Sequence, residues 1–172
     1  MFDLPMFTLV HVVISVVGIV AGLVVAGGMA AGARLDAWTG LFVAMTVLTS
    51  VTGFGFPLVA VGPPHIVGAI SLVVLAVCLF ARYGRKLAGG WRATYVVTAV
   101  TALYLNVFVL VAQLFAKTPA LAQLAPTQKE APFGITQALV LAMFVWLGRS
   151  ALRGFGTSRE LAQRGDASRA GA

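Results

Sequence analysis

Two histidines are the residues in this sequence with the widest range of chemistry. His11 lies within the first long apolar run, and His65 follows two prolines in the segment VGPPHIVG. Imidazoles on two different helices can ligate the iron of a b-type haem axially, and one imidazole can hydrogen-bond a quinone carbonyl. A simpler role is also open, because an imidazole can bind a neutral or anionic small molecule through hydrogen bonds.

Three side-chain amides are predicted to lie near these rings. Asn106 is near the middle of one apolar run, Gln113 is close to the end of that run, and Gln137 lies about one turn inside the next. With the histidines they predict a polar pocket whose ligand-binding residues are His11, His65, Asn106, Gln113 and Gln137. The alternative is that the amides hydrogen-bond between helices, each contributing about 0.6–2 kcal/mol.

No catalytic motif accompanies these groups. None of the five acidic residues lies inside an apolar run, and no set of nucleophile, base and orienting residue can be assembled. The sequence lacks a Walker loop, an HExxH motif, a dinucleotide-binding fingerprint and zinc-ligand spacing. Cys78 is the single cysteine and is predicted to be a packing residue. We therefore expect neither enzyme activity nor a metal site, and no cofactor unless His11 and His65 hold haem b or a quinone.

The composition predicts that lipid surrounds most of the chain. Of 172 residues, 60% are hydrophobic and 10% are charged, and the mean hydropathy is +0.98, whereas soluble domains carry about 25% charged residues. A helix needs about 20 apolar residues to cross the hydrocarbon core, where every backbone amide must be bonded internally. These constraints predict an all-α integral membrane bundle of five transmembrane helices, at residues 4–33, 37–61, 65–83, 91–116 and 132–152.

The basic residues predict the orientation of this bundle. Ten of the 12 Lys and Arg residues follow the first span, follow the third span or lie in the C-terminal tail, and only Lys117 and Lys129 lie on the other side. Cationic residues near span ends stay cytoplasmic. The N-terminus is therefore predicted to be outside and the C-terminus cytoplasmic, so that the pocket opens outward. The span boundaries place His11 a few turns deeper than His65.

Small residues predict how the first two spans pack. On the first span Ser15, Gly18 and Gly22 share the face of His11, and the two glycines form a GxxxG motif that lets another helix approach closely. A similar stripe on the second span includes Gly53 and Pro57.

Two polar segments lie outside the predicted spans. Residues 117–131 predict either a short interfacial helix or a plain connecting loop. Residues 154–172 are polar, contain glycine and lack apolar periodicity, so we expect a disordered cytoplasmic tail.

Three classes of function fit these observations. The favoured class is a small-molecule-binding or transport module with an outward-facing pocket. The others are a redox subunit holding haem b or a quinone, and a structural accessory subunit of a membrane complex. The expected partners are the lipid bilayer and either a second copy of the chain or a larger complex. The net charge of +7 does not indicate nucleic-acid binding, because the basic residues are clustered between apolar runs.

Several segments resemble those of a family of small multi-pass bacterial inner-membrane proteins. They are ALYLNVFVLVAQ at 102–113 and PALAQLAPTQKEAPF at 119–133, with HVVISVVGIVAG and PPHIVG. The resemblance implies a location in the bacterial inner membrane and carries no catalytic residue.

Overall fold

The computed structural model describes the backbone of residues 4–56 and 63–170, and side chains within residues 5–56 and 65–155. Within these ranges the chain is helical apart from its connections, which confirms the predicted all-α class. The helices are α1 (Leu4–Ala30), α2 (Asp36–Gly53), α3 (Pro63–Leu79), α4 (Trp91–Lys117), α5 (Pro119–Leu124) and α6 (Ala131–Ala170). A π-helical turn, Phe80–Gly84, continues α3.

Four of the described helices are long and apolar enough to cross a membrane. The segments are Pro5–Ala30, His65–Gly84, Trp91–Lys117 and Ala131–Phe155. Large apolar side chains on their outer faces are well exposed, as at Val73 (65%), Leu139 (67%) and Trp146 (68%). Such a surface is unfavourable in water and suited to lipid. The fold is therefore compatible with a multi-pass membrane protein.

Helix α2 is less apolar than these four. It has 18 residues, begins at Asp36 and carries five hydroxyl side chains, of which Thr39, Thr46 and Ser50 are buried in the bundle. The predicted helix over 37–61 was wrong at its end, because α2 stops at Gly53 and a turn follows at 54–56. Two glycines and a following proline disfavour continuation of a helix there. Pro57 lies outside the described residues.

Long helices that follow one another along the chain run in opposite directions. His11 near the start of α1 contacts Thr52 near the end of α2, and a side chain at Gly22 would meet Phe42. Similar contacts relate α3 to α4 and α4 to α6: Arg82 with Tyr95, Phe115 with Phe133, and Tyr104 with Phe144. The starts of α1, α3 and α6 and the ends of α2 and α4 therefore form one end of the bundle, the histidine end. The opposite end is the arginine end.

The GxxxG glycines of α1 lie against α2 and α4. A Cβ atom at Gly18 would be 3.2 Å from the Cβ atom of Met45, and one at Gly22 would be 2.6 Å from Leu103 and 2.8 Å from the ring of Phe42. These positions have no room for a side chain without a shift of their neighbours. The absence of side chains at both glycines lets the helices approach closely.

The arginine end contains a buried cation. Arg82 is 8% exposed. Its Nη1 donates to the Tyr95 hydroxyl at 3.1 Å, its Nη2 donates to the Asp36 carboxylate, and its guanidinium carbon lies 5.3 Å from the centroid of the Tyr95 ring. Arg82 continues the buried face of α3, since it follows Ser71, Leu75 and Cys78 at the i+4, i+7, i+11 spacing of one helix face.

Helix α6 is longer than the predicted fifth span. Its backbone is helical from Ala131 to Ala170 and thus passes through residues that were expected to be disordered from 154 onward. This stretch lacks proline and contains several good helix formers, including Leu, Ala, Glu and Arg. A short helix or a plain loop was predicted for the connection over 117–131. The connection contains the short helix α5.

Candidate ligand-binding pocket

A cavity of about 410 Å³ lies at the histidine end, between α1, α2, α3 and α4. Apolar side chains of α1 and α4 form much of its wall, including Val12, Val16, Ile19, Val109 and Leu110. Four of the five predicted ligand-binding residues line it: His11, His65, Asn106 and Gln113. Ser15 and Gly53, predicted as packing residues, line it too.

His11 is held in one orientation by α2. Its Nδ1 lies 2.8 Å from the Thr52 hydroxyl oxygen. That hydroxyl donates its single proton to the carbonyl of Leu48 at 2.7 Å, so it accepts the hydrogen bond from Nδ1 of the ring. The neutral imidazole therefore carries its proton on Nδ1. The lone pair of Nε2 is left without a hydrogen-bond partner in the described part of the chain.

Both ring nitrogens of His65 are buried and lack a hydrogen-bond partner among the described residues. Nδ1 and Nε2 are each inaccessible to solvent and make no hydrogen bond to any described residue. The ring contacts Phe54, with 5.9 Å between the two centroids. An unpaired buried polar group costs about 1–3 kcal/mol, and its presence in a native site calls for an explanation such as a ligand or an ordered water.

Two hydroxyl groups in the same cavity share this property. The Oγ of Ser71 and the Oγ1 of Thr49 are buried, and neither has a hydrogen-bond partner in residues 5–56 and 65–155. Ser71 as a whole is 2% exposed. A helical Ser or Thr ordinarily satisfies its hydroxyl on a carbonyl of the preceding turn. Because Ser71 and Thr49 do not, their hydroxyls are left unsatisfied within the wall of the cavity.

The two amides of α4 that line the cavity differ in their partners. The Nδ2 of Asn106 donates to the Thr46 hydroxyl at 3.3 Å, which ties α4 to α2. Gln113 lies two turns closer to the histidine end and has no hydrogen-bond partner among the described side chains and backbone groups. Asn106 therefore has a packing role as well as a place in the wall, whereas Gln113 is free to bind a ligand.

Gln137 lies outside the cavity, contrary to its predicted place in the pocket. It is 8% exposed, and its Nε2 donates to the carbonyl of Phe108 at 3.1 Å. The residues of α4 that face the cavity are on another side of that helix. Gln137 therefore connects α6 to α4, which is the interhelical role that the sequence left open as the alternative.

The two histidines lie at nearly the same level of the bundle. His11 is beside Thr52 and His65 is beside Phe54, and two residues correspond to about 3 Å of helical rise. The prediction that His11 is a few turns deeper was wrong. The first residue of α1 extends about two turns beyond the level at which α2 ends. Counting residues from the start of α1 therefore overestimates the depth of His11.

The residues of the wall that were absent from the predicted set include Ser71, Thr49 and Lys117. Ser71 follows His65 at i+6, Thr49 precedes Gly53 at i−4, and Lys117 follows Gln113 at i+4. The spacings of Thr49 and Lys117 place them on the helix face of a residue already selected, so a signal was present for both, and it was stronger for Lys117 because few cations lie near the predicted pocket. Six residues place Ser71 about 120° around the helix from His65, so spacing gave no signal for it.

Comparison of the chain with protein-family models, curated proteins and solved structures found no match. The functional argument therefore depends on the geometry of the cavity.

Proposed function

We propose that this protein is a five-span protein of a bacterial inner membrane that binds a small molecule in the cavity at its histidine end. The N-terminus and the cavity face the periplasm, and the protein works as a binding or transport module without enzyme activity. The observation that carries the proposal is a largely apolar cavity whose wall contains His65, Thr49 and Ser71. Both ring nitrogens of His65 and the two hydroxyls are buried and have no hydrogen-bond partner in the described part of the chain.

The size and lining of the cavity favour an amphipathic ligand. Small-molecule sites usually have volumes of about 300–1,000 Å³ and combine apolar walls with a few well-placed polar groups. The cavity of about 410 Å³ falls in this range. A ligand that returned hydrogen bonds to His65 and Ser71 would remove the cost of leaving these groups unpaired.

The alternation of the helices supports a fifth crossing by α2. α1 ends at the arginine end and α3 starts at the histidine end, so α2 must connect the two ends. Its 18 residues have a length of about 27 Å, close to the thickness of about 30 Å of the hydrocarbon core. Its buried hydroxyls face other helices rather than lipid.

Thiol labelling tests the orientation. Cys78 is 1% exposed, so the native protein has a low labelling background. In spheroplasts we expect a membrane-impermeant maleimide to label Gln123→Cys and to leave Ser168→Cys unlabelled until the membrane is permeabilised, because Lys and Arg retain the tail in the cytoplasm. The reverse pattern, or labelling of both, would contradict the proposed topology.

Ligand binding is tested with a neutral probe, 4-phenylbutanamide, titrated calorimetrically into the protein in zwitterionic nanodiscs, with empty nanodiscs as the blank. We expect saturable binding to the native protein. Ser71→Ala and His65→Leu should weaken it about 3- to 10-fold, the equivalent of one hydrogen bond. Neither change should lower the melting temperature, because each removes a polar group that lacks a partner.

Thr136→Ala is the matched control for Ser71→Ala. It removes a helical hydroxyl that donates to the Pro132 carbonyl, away from the cavity, and should leave the affinity unchanged. Absence of saturable heat with the native protein would contradict the proposal. So would a haem Soret band in the purified protein, which would favour axial ligation by His11 and His65 instead.

A further inference from the structure

The charges around the cavity distinguish between ligand classes. Lys117, at the end of α4, is the one charged side chain that lines it in the described part of the chain. No hydrogen bond or ion pair joins this ammonium group to any described residue. A cation in this position with no counter-charge attracts an anionic group to the mouth of the cavity.

The acidic residues of the described region are engaged elsewhere. Asp36 pairs with Arg82 and Arg34 at the arginine end. The carboxylate of Glu130 accepts hydrogen bonds from the Thr127 hydroxyl at 2.8 Å and from the Lys129 backbone N–H at 3.0 Å. Neither carboxylate lines the cavity. Among residues 5–56 and 65–155, the lysine therefore has no acidic partner.

Gln113 provides a second donor on the same side of α4. It precedes Lys117 by four residues, which places both on one face of the helix, and both line the cavity. The lining residues of α4 extend from Lys117 inward to Leu105, a rise of about 18 Å along the helix. The cavity is thus cationic at its mouth and apolar along its length.

We infer that the cavity takes an amphipathic monoanion, a carboxylate with an aryl or alkyl body, whose acid group pairs with Lys117 and Gln113 at the mouth. This inference rests on the proposed function and adds the class of ligand to it. The apolar body lies between α1 and α4, against Val16 and Val109. One ammonium and one amide suit a carboxylate, whereas a phosphate dianion is ordinarily bound by several cations or by the bidentate donors of arginine.

The test compares two probes of the same shape that differ in charge, 4-phenylbutanoate and 4-phenylbutanamide, in zwitterionic nanodiscs. We expect the carboxylate to bind about 5- to 10-fold more tightly than the amide, as for a charge-assisted pair that is partly exposed to water. Lys117→Gln should reduce this preference to within about 2-fold while amide binding persists. Lys129→Gln, which removes a cation from the neighbouring loop, should retain the preference.

The two proposals fail in different ways. Equal binding of both probes to the native protein, or an unchanged preference in Lys117→Gln, overturns the inference and leaves the cavity as a binding site. Absence of binding by either probe overturns both. Asp3→Asn should not alter the preference; a gain in carboxylate affinity would make Asp3 the partner of the lysine and overturn the inference.

Discussion

Gly154→Ala is expected to lower the melting temperature of the protein more than alanine at any other described glycine in a helix. A Cβ atom at this position would collide with the backbone carbonyl of Ala30 and would lie 2.8 Å from the Met29 carbonyl oxygen. Both atoms belong to the backbone of α1, so no side-chain rotation relieves the clash, and the two helices must separate. We expect a loss of at least about 1–3 kcal/mol of stability, the usual effect of overpacking.

The matched control lies on the same helix. Gly134→Ala places its Cβ in open space and should stabilise α6 by up to about 1 kcal/mol through helix propensity. Thermal unfolding of both variants in detergent, followed by tryptophan fluorescence, measures the difference. Equal melting temperatures would show that α1 and α6 are not in contact at Gly154.

Arg82→Ala is expected to have the second large effect. The variant removes a donor from the Tyr95 hydroxyl and the buried partner of Asp36. Breaking a fully buried pair costs about 3–5 kcal/mol. Asp36 retains contact with water, with 68% of its side chain exposed, so the expected loss is smaller, about 2–3 kcal/mol. The same fluorescence measurement detects it as a lower melting temperature.

Arg34→Ala is the control, because Arg34 pairs with the same carboxylate at 3.6 Å from a side chain that is 58% exposed. An exposed pair contributes about 0–1 kcal/mol. A comparable effect of both substitutions would mean that Arg82 is solvated and does not connect α2 to α4. Asp36→Asn combined with Arg82→Ala should cost less than the sum of the two single changes, since the side chains interact.

The helices were predictable because lipid leaves the backbone few alternatives. Long apolar runs at α1, α3, α4 and α6 could form only helices or a closed barrel, and their length excluded short strands. His11 and Asn106 were found from helical spacing alone, since the polar residues of an apolar helix turn toward other helices. The end of α2 was missed because the apolar run continues through two glycines into a proline, and hydropathy alone does not register them.

The side-chain orientations that the sequence did not predict depend on how each helix is rotated about its axis. Gln137 and Gln113 have the same side-chain chemistry and were assigned the same role. The rotation of α6, which is set by packing such as that of Phe144 on Tyr104, directs Gln137 to a carbonyl of α4 instead. Arg82 lies on the buried face of α3 with Leu75 and Cys78 at regular helical spacing, and it was missed because the basic residues were assigned to the ends of the spans by charge alone.

Under the proposed five-span topology, the inward hydroxyls of α2 have a consequence for how the chain enters the membrane during synthesis. A segment with Asp36 at its start and five hydroxyl side chains partitions from the translocon into lipid less readily than its neighbours. Its polar face is covered by α1 and α4. We therefore expect α1 and α2 to leave the translocon together as a helical hairpin, with the glycine face of α1 already in place to receive the second segment.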